Sequence, residues 1–79
     1  MARLSDRLIA ELKKGRVPRS QILHDLRTST GANRAVRAAA ASTGTVIEWY
    51  NKGQKGKVEY RLREPALGET VGQVFELVD

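Results

Sequence analysis

Residues Gly44 to Pro65, GTVIEWYNKGQKGKVEYRLREP, hold two strand-like runs joined by a basic, glycine-punctuated tip. The second run, Val58-Glu59-Tyr60-Arg61-Leu62-Arg63, alternates apolar and charged side chains with period two, as a strand does when one face is buried and the other wet. Val58, Tyr60 and Leu62 are expected to face a core, with Glu59, Arg61 and Arg63 outward. The first run is ambiguous. Ile47 and Trp49 share one face, Val46, Glu48 and Tyr50 the other, and both faces carry large apolar groups. The tip, Asn51-Lys52-Gly53-Gln54-Lys55-Gly56-Lys57, carries three lysines and two glycines. Gly53 and Gly56 permit the positive φ angles of a hairpin loop and let its backbone approach a phosphate closely. A solvated hairpin kept soluble by lysines explains the segment equally well in isolation, so its neighbours decide its meaning.

Upstream the chain has helical patterns. Ser5 is placed as an N-cap, Asp6 lies in the positive first turn, and Leu4 can staple against Ile9. Leu8, Ile9 and Leu12 form the apolar stripe, Lys13 and Lys14 suit the last turn, and Gly15 is the stop, predicting a helix over about residues 5 to 14. Arg16-Val17-Pro18 is a short extended connection in which Val17 can pair with the edge of the hairpin and Pro18 pre-sets a second helix. That helix, about Arg19 to Arg27, puts Ile22, Leu23 and Leu26 on one face and leaves Gln21, Asp25 and Arg27 for solvent. Thr28-Ser29-Thr30-Gly31 breaks the pattern with residues that favour turns and N-caps. A third helix of about Ala32 to Ser42 follows, with Val36, Ala39, Ala40 and Ala32 or Ala35 inward and Asn33, Arg34, Arg37, Ala38 and Ala41 around the other side. The run Ala38 to Ala41 secures this helix and allows close packing. Its exposed alanines could also lie deep in a major groove against thymine methyls.

The order helix, short strand, helix, turn, helix, strand, basic loop, strand resembles the winged helix-turn-helix family of DNA-binding domains over about residues 4 to 64. The resemblance rests on element order, on the Thr28-Ser29-Thr30-Gly31 turn before Ala32-Asn33-Arg34-Ala35-Val36-Arg37, and on Gly44-Thr45-Val46-Ile47 leading into the wing. It implies an α+β fold: three helices followed by a two-stranded β-hairpin wing, with a short C-terminal tail element. It further implies double-stranded DNA as partner, with Asn33, Arg34 and Arg37 on a recognition helix in the major groove and Lys52, Lys55 and Lys57 on the wing. Thr28, Ser29, Thr30 and the free amides at the start of the third helix are candidates for a phosphate. Arginine can present two parallel donors to guanine, asparagine can pair with adenine N6 and N7, and lysine is a point charge for phosphate. A small transcriptional regulator or a DNA-organising accessory factor is the function expected.

Charge distribution agrees. Residues 1 to 63 hold 14 Lys/Arg against 5 Asp/Glu, hence +9, whereas residues 64 to 79 hold four acids and no base, hence −4. The positive part attracts polyanions through counterion release and long-range steering, although acidic membranes or acidic proteins satisfy the same charge. The acidic tail, residues 65 to 79, carries its own apolar set. Val71, Val74, Phe75 and Val78 fit a helical stripe, and Val71, Gln73, Phe75 and Leu77 fit a strand less cleanly. Such a segment either packs on the domain formed by residues 1 to 64 or meets the same tail in a homodimer whose two recognition helices read two half-sites.

Other chemistries have little support. With 79 residues there is room for one modest core and none for a deep cleft beside it. The absence of cysteine and the single His24 exclude thiolate and histidine-cluster metal sites, and no cofactor is expected. The acids are scattered and interleaved with bases, so an enzyme is not expected. No apolar run approaches the roughly 20 residues of a membrane span, and MARLSDRLIAELKKG lacks a secretory apolar core, so a soluble, cytoplasmic, nucleoid- or chromatin-associated protein is the expectation. Gly53-Gln54-Lys55-Gly56 has the spacing of a KH-type GxxG clamp but joins strands rather than helices. Two alternatives stay open: a protein-interaction or assembly module, and an RNA or single-strand binder that stacks a base on Trp49 or Tyr50.

Overall fold

The computed structural model describes residues 3–27 and 31–78, and the turn Thr28-Ser29-Thr30 lies outside them. The elements run α1 (Asp6–Lys14), β1 (Val17–Pro18), α2 (Arg19–Leu26), α3 (Ala32–Thr43), β2 (Val46–Tyr50), β3 (Glu59–Arg63) and β4 (Val74–Leu77). The architecture is α+β, three helices with one four-stranded sheet in the order β1-β3-β2-β4.

The Ser5 hydroxyl accepts from the Leu8 amide at 3.2 Å and caps α1. Asp25 of α2 accepts from both the Ser5 amide (2.9 Å) and the Ser5 hydroxyl (2.8 Å), so the cap of one helix is held by the flank of another. Asp25 is therefore half-buried and structural rather than a solvent residue. Gly15 ends α1 as expected, but at φ −176° its backbone is ordinary extended chain rather than a left-handed cap. In α3 the buried set is Ala32, Ala35, Val36, Ala39 and Ala40, leaving Asn33, Arg34, Arg37, Ala38 and Ala41 exposed. Small side chains here bring the helix backbone close to its neighbours while its outer face stays free.

Pairing settles the ambiguous strand. β2 and β3 are antiparallel with Ile47 opposite Leu62 and Trp49 opposite Tyr60, so these four share the face turned to the helices. Leu8, Leu12, Ile22, Ile47, Tyr60 and Leu62 form the centre of the core. Val17 pairs with Tyr60, which gives the short strand foreseen after α1. The expected two-stranded hairpin is thus widened on both edges. Beyond β2 lies β4, parallel to it, with Ile47 beside Val74 and Tyr50 beside Leu77.

The tail's strand prevails over its helical stripe for a physical reason. A helix over residues 71 to 78 would carry Gly72, a poor helix former, in its first turn. The open edge of β2, in contrast, offers unpaired backbone groups. The Gly72 amide donates to the Thr45 carbonyl (2.9 Å), the Ile47 amide to Gln73 (2.9 Å) and the Asn51 amide to Leu77 (2.8 Å). Val74 then packs against the core while Phe75 turns to the opposite face.

Candidate nucleic-acid interface

The exposed face of α3 carries Asn33, Arg34 and Arg37, and neither arginine has an ion-pair partner among the described residues. The helix starts from Gly31, and α2 ends in the left-handed Arg27 (φ 57°), itself exposed. The phosphate candidates Thr28, Ser29 and Thr30 fall between these two and outside the described residues.

The loop between β2 and β3 is built from two consecutive turns, the Gln54 amide donating to Asn51 and the Lys57 amide to Gln54, both at 2.9 Å. Gly53 (φ 83°) and Gly56 (φ 81°) take the left-handed conformations expected of them. Asn51 governs the loop more than either glycine. It is buried at 6% exposure, sits at φ 58°, and its Nδ2 donates to the Lys57 carbonyl across the loop at 3.3 Å. Asparagine is one of the few side-chain-bearing residues that tolerates this region, which is the signal that identifies it in the sequence.

The three lysines of this loop are not equivalent. Lys55 and Lys57 are exposed and have no ion-pair partner among the described residues. Lys52 instead pairs with Glu76 of β4 at 3.0 Å and lies over the Trp49 ring, 4.9 Å from its centroid. The tail strand therefore neutralises one cation of the loop, a contact invisible before β4 is placed.

Helix α3 and the β2–β3 hairpin meet at a junction that period-two reading does not reveal. The Tyr60 hydroxyl donates to Asn33 Oδ1, and the Tyr60 ring stacks on Trp49 with centroids 5.5 Å apart and planes at 26°. Asn33, Val36, Arg37, Trp49 and Val74 line a shallow dent there. Trp49 Nε1 is buried with no hydrogen-bond partner among the described residues. The ring is partly buried and packs against the core. Arg37 of α3 thus shares this dent with Trp49, over whose ring lies Lys52 of the loop.

The other face of the sheet is charged but internally balanced. Glu48 accepts from Tyr50 Oη (2.8 Å), Arg61 Nη1 (3.3 Å) and Arg63 Nε (2.9 Å). Desolvation alone would raise the Glu48 carboxyl, but the hydrogen bonds from Arg63, Tyr50 and Arg61 outweigh it and hold the group below its ordinary range. Arg63 also grips Glu69 with two bonds, 2.7 and 3.1 Å, and lies over the Phe75 ring. That grip, with the Ala66 amide, lowers Glu69 to about 2, and the two carboxylates raise Arg63 above its ordinary value. Arg16 stacks on Tyr50, 3.8 Å from the centroid, and pairs with Glu59 at 3.6 Å. Arg61 and Arg63, outward as expected, are spent on acids of the same chain.

Among the described residues no group of three or more His, Cys, Asp or Glu could hold a metal ion, and no helix is long and apolar enough to cross a membrane. A separate apolar groove of about 410 Å³ runs between the start of α1 and α3, lined by Leu4, Ile9, Ala35, Ala38 and Ala39 with Arg3 and Asp6 at its rim. No family model matches the chain, and no curated protein or solved structure is significantly similar to it.

Proposed function

We propose that this protein is a winged helix-turn-helix domain that binds double-stranded DNA, α3 entering the major groove and the 51–58 loop lying on the backbone or in the minor groove. The observation that carries the reading is electrostatic. Arg34, Arg37, Lys55 and Lys57 have no ion-pair partner among the described residues, whereas Arg16, Arg61 and Arg63 are paired. Unpaired cations release counterions on meeting phosphate, and paired ones contribute far less. Supporting it are the element order and the β1-β3-β2 arrangement beneath the helices, with a glycine-jointed lysine loop between β2 and β3. The exposed alanines Ala38 and Ala41 leave room for a groove wall to approach. The role is that of a small regulator or DNA-organising factor in the compartment that holds DNA, without catalysis or cofactor.

Fluorescence anisotropy of labelled random duplex DNA, single-stranded DNA and duplex RNA, each at two salt concentrations, tests this. Tight and steeply salt-dependent duplex DNA binding supports it, and no binding at low salt overturns it. A second reading, a protein-interaction module, is favoured by the apolar groove between α1 and α3 and by exposed Leu67, Val71 and Val78. It predicts no duplex binding and concentration-dependent association instead.

A further inference from the structure

Asparagine reads adenine with two atoms at once, its carbonyl oxygen accepting from N6 and its amide donating to N7. Asn33 is exposed on the outer face of α3, where such reading takes place, but its Oδ1 already accepts from the Tyr60 hydroxyl. Tyr60 is itself fixed. It is 1% exposed, packed in the core, stacked on Trp49 and paired in the sheet with both Val17 and Trp49. Burial raises its hydroxyl above the ordinary tyrosine range, with nearby Arg19 opposing, so the group keeps its proton and remains a donor. The carboxamide is therefore anchored by its oxygen to an immobile partner; the oxygen keeps a second lone pair but is turned toward Tyr60, which directs Nδ2, a donor only, away from it.

We infer that Tyr60 is a positioning residue for specificity: it turns the Asn33 oxygen toward the sheet and Nδ2 away from it, so that α3 favours an acceptor edge, guanine N7/O6 or thymine O4, over adenine. This rests on the proposed duplex-binding role and deepens it. In the major groove guanine offers two adjacent acceptors to one amide group, whereas adenine offers one acceptor beside a donor that finds no partner on Nδ2. An N6 amine brought against Nδ2 without an acceptor is left desolvated and unpaired, which is how a site rejects a base.

The test is a duplex library randomised over one site, bound to wild type, Tyr60→Phe, Asn33→Ala and the double variant. Tyr60→Phe keeps the ring, the Trp49 stack and the core volume, and frees the Asn33 oxygen to rotate outward. The expected result is that wild type shows no adenine preference at the position Asn33 contacts, that Tyr60→Phe gains one of roughly fivefold or more, the lower end for a bidentate pair, and that Asn33→Ala abolishes the gain. A Tyr60→Phe protein that binds duplex with the wild-type base profile overturns the inference and leaves the function standing. Failure of wild type to bind any duplex at low salt overturns both. In the free protein, the Asn33 side-chain amide resonances should shift in Tyr60→Phe. Unchanged resonances overturn the clasp whatever the binding data show.

Discussion

Arg63 holds Glu69 through two parallel hydrogen bonds, 2.7 and 3.1 Å, while its Nε reaches Glu48 on the neighbouring strand. One guanidinium therefore ties the acidic segment after β3 to the centre of the sheet, and the planar fork of arginine is what permits three bonds in two directions. The tail's return to β2 starts from this point.

Acidification should loosen the tail before the rest of the domain. The Glu69 carboxyl is lowered from 4.5 to about 2 by Arg63 first and the Ala66 amide second. For a depressed acid the stabilisation is complete above the unfolded value and is lost as pH falls through the folded one. Between about pH 4.5 and 2, amide exchange at Ile47 and Asn51, which donate to the tail, should accelerate ahead of exchange in α1. Glu69→Gln should show fast exchange at those amides already at neutral pH. Exchange that is equal in the variant and wild type would remove Glu69 from this role.

The lysines of the loop between β2 and β3 should differ in their salt signature. Lys55→Ala and Lys57→Ala are each expected to weaken every duplex about equally and to flatten the slope of log affinity against log salt by about 0.9. Lys52→Ala should do less, because Glu76 already neutralises Lys52 at 3.0 Å. Glu76→Gln should tighten duplex binding and steepen the slope. Titrations of the four variants across salt distinguish these outcomes.

Removing an arginine from α3 should alter preference rather than only strength. Arg34→Ala or Arg37→Ala is expected to cost about 1 to 3 kcal/mol against the preferred base at one position. Selection from a randomised duplex reads this as relaxed sequence choice. A loss equal for all sequences would assign that arginine to phosphate.

Asn51 should prove more important to the loop than its glycines suggest. It combines φ 58°, burial and the bond to the Lys57 carbonyl. Asn51→Ala loses the bond and places alanine in the left-handed region, a loss of about 2 kcal/mol. Asn51→Gly keeps the backbone conformation and should lose less, about 1 kcal/mol. Thermal or urea denaturation of both variants gives the order.

Much of the fold is legible locally because its determinants are local. Ser5, Asp6 and the Leu8/Leu12 stripe mark α1, the alanine-rich period marks which face of α3 is buried, and alternation in β3 points Tyr60 and Leu62 inward. The exposed cations of α3 and the loop follow from the same periodicities. β2 resisted this reading because both of its faces are apolar, so only its register with β3 could choose between Ile47/Trp49 and Val46/Glu48/Tyr50.

The three helices, the hairpin, the loop's left-handed glycines and the segregation of positive charge before residue 64 follow from propensity, period and composition, which act over a few neighbouring residues. Packing in three dimensions selects which charges are paired. Glu48 meets Arg61 and Arg63 only once β2 and β3 lie side by side, Glu69 reaches Arg63 through the turn that follows β3, and Glu76 meets Lys52 only once β4 joins the edge of β2. Packing likewise turns the tail into β4 and joins Tyr60 to Asn33 across 27 positions. Hydrogen bonds and ion pairs act over a few ångströms of space, and no local pattern carries the distance between residues that far apart in sequence.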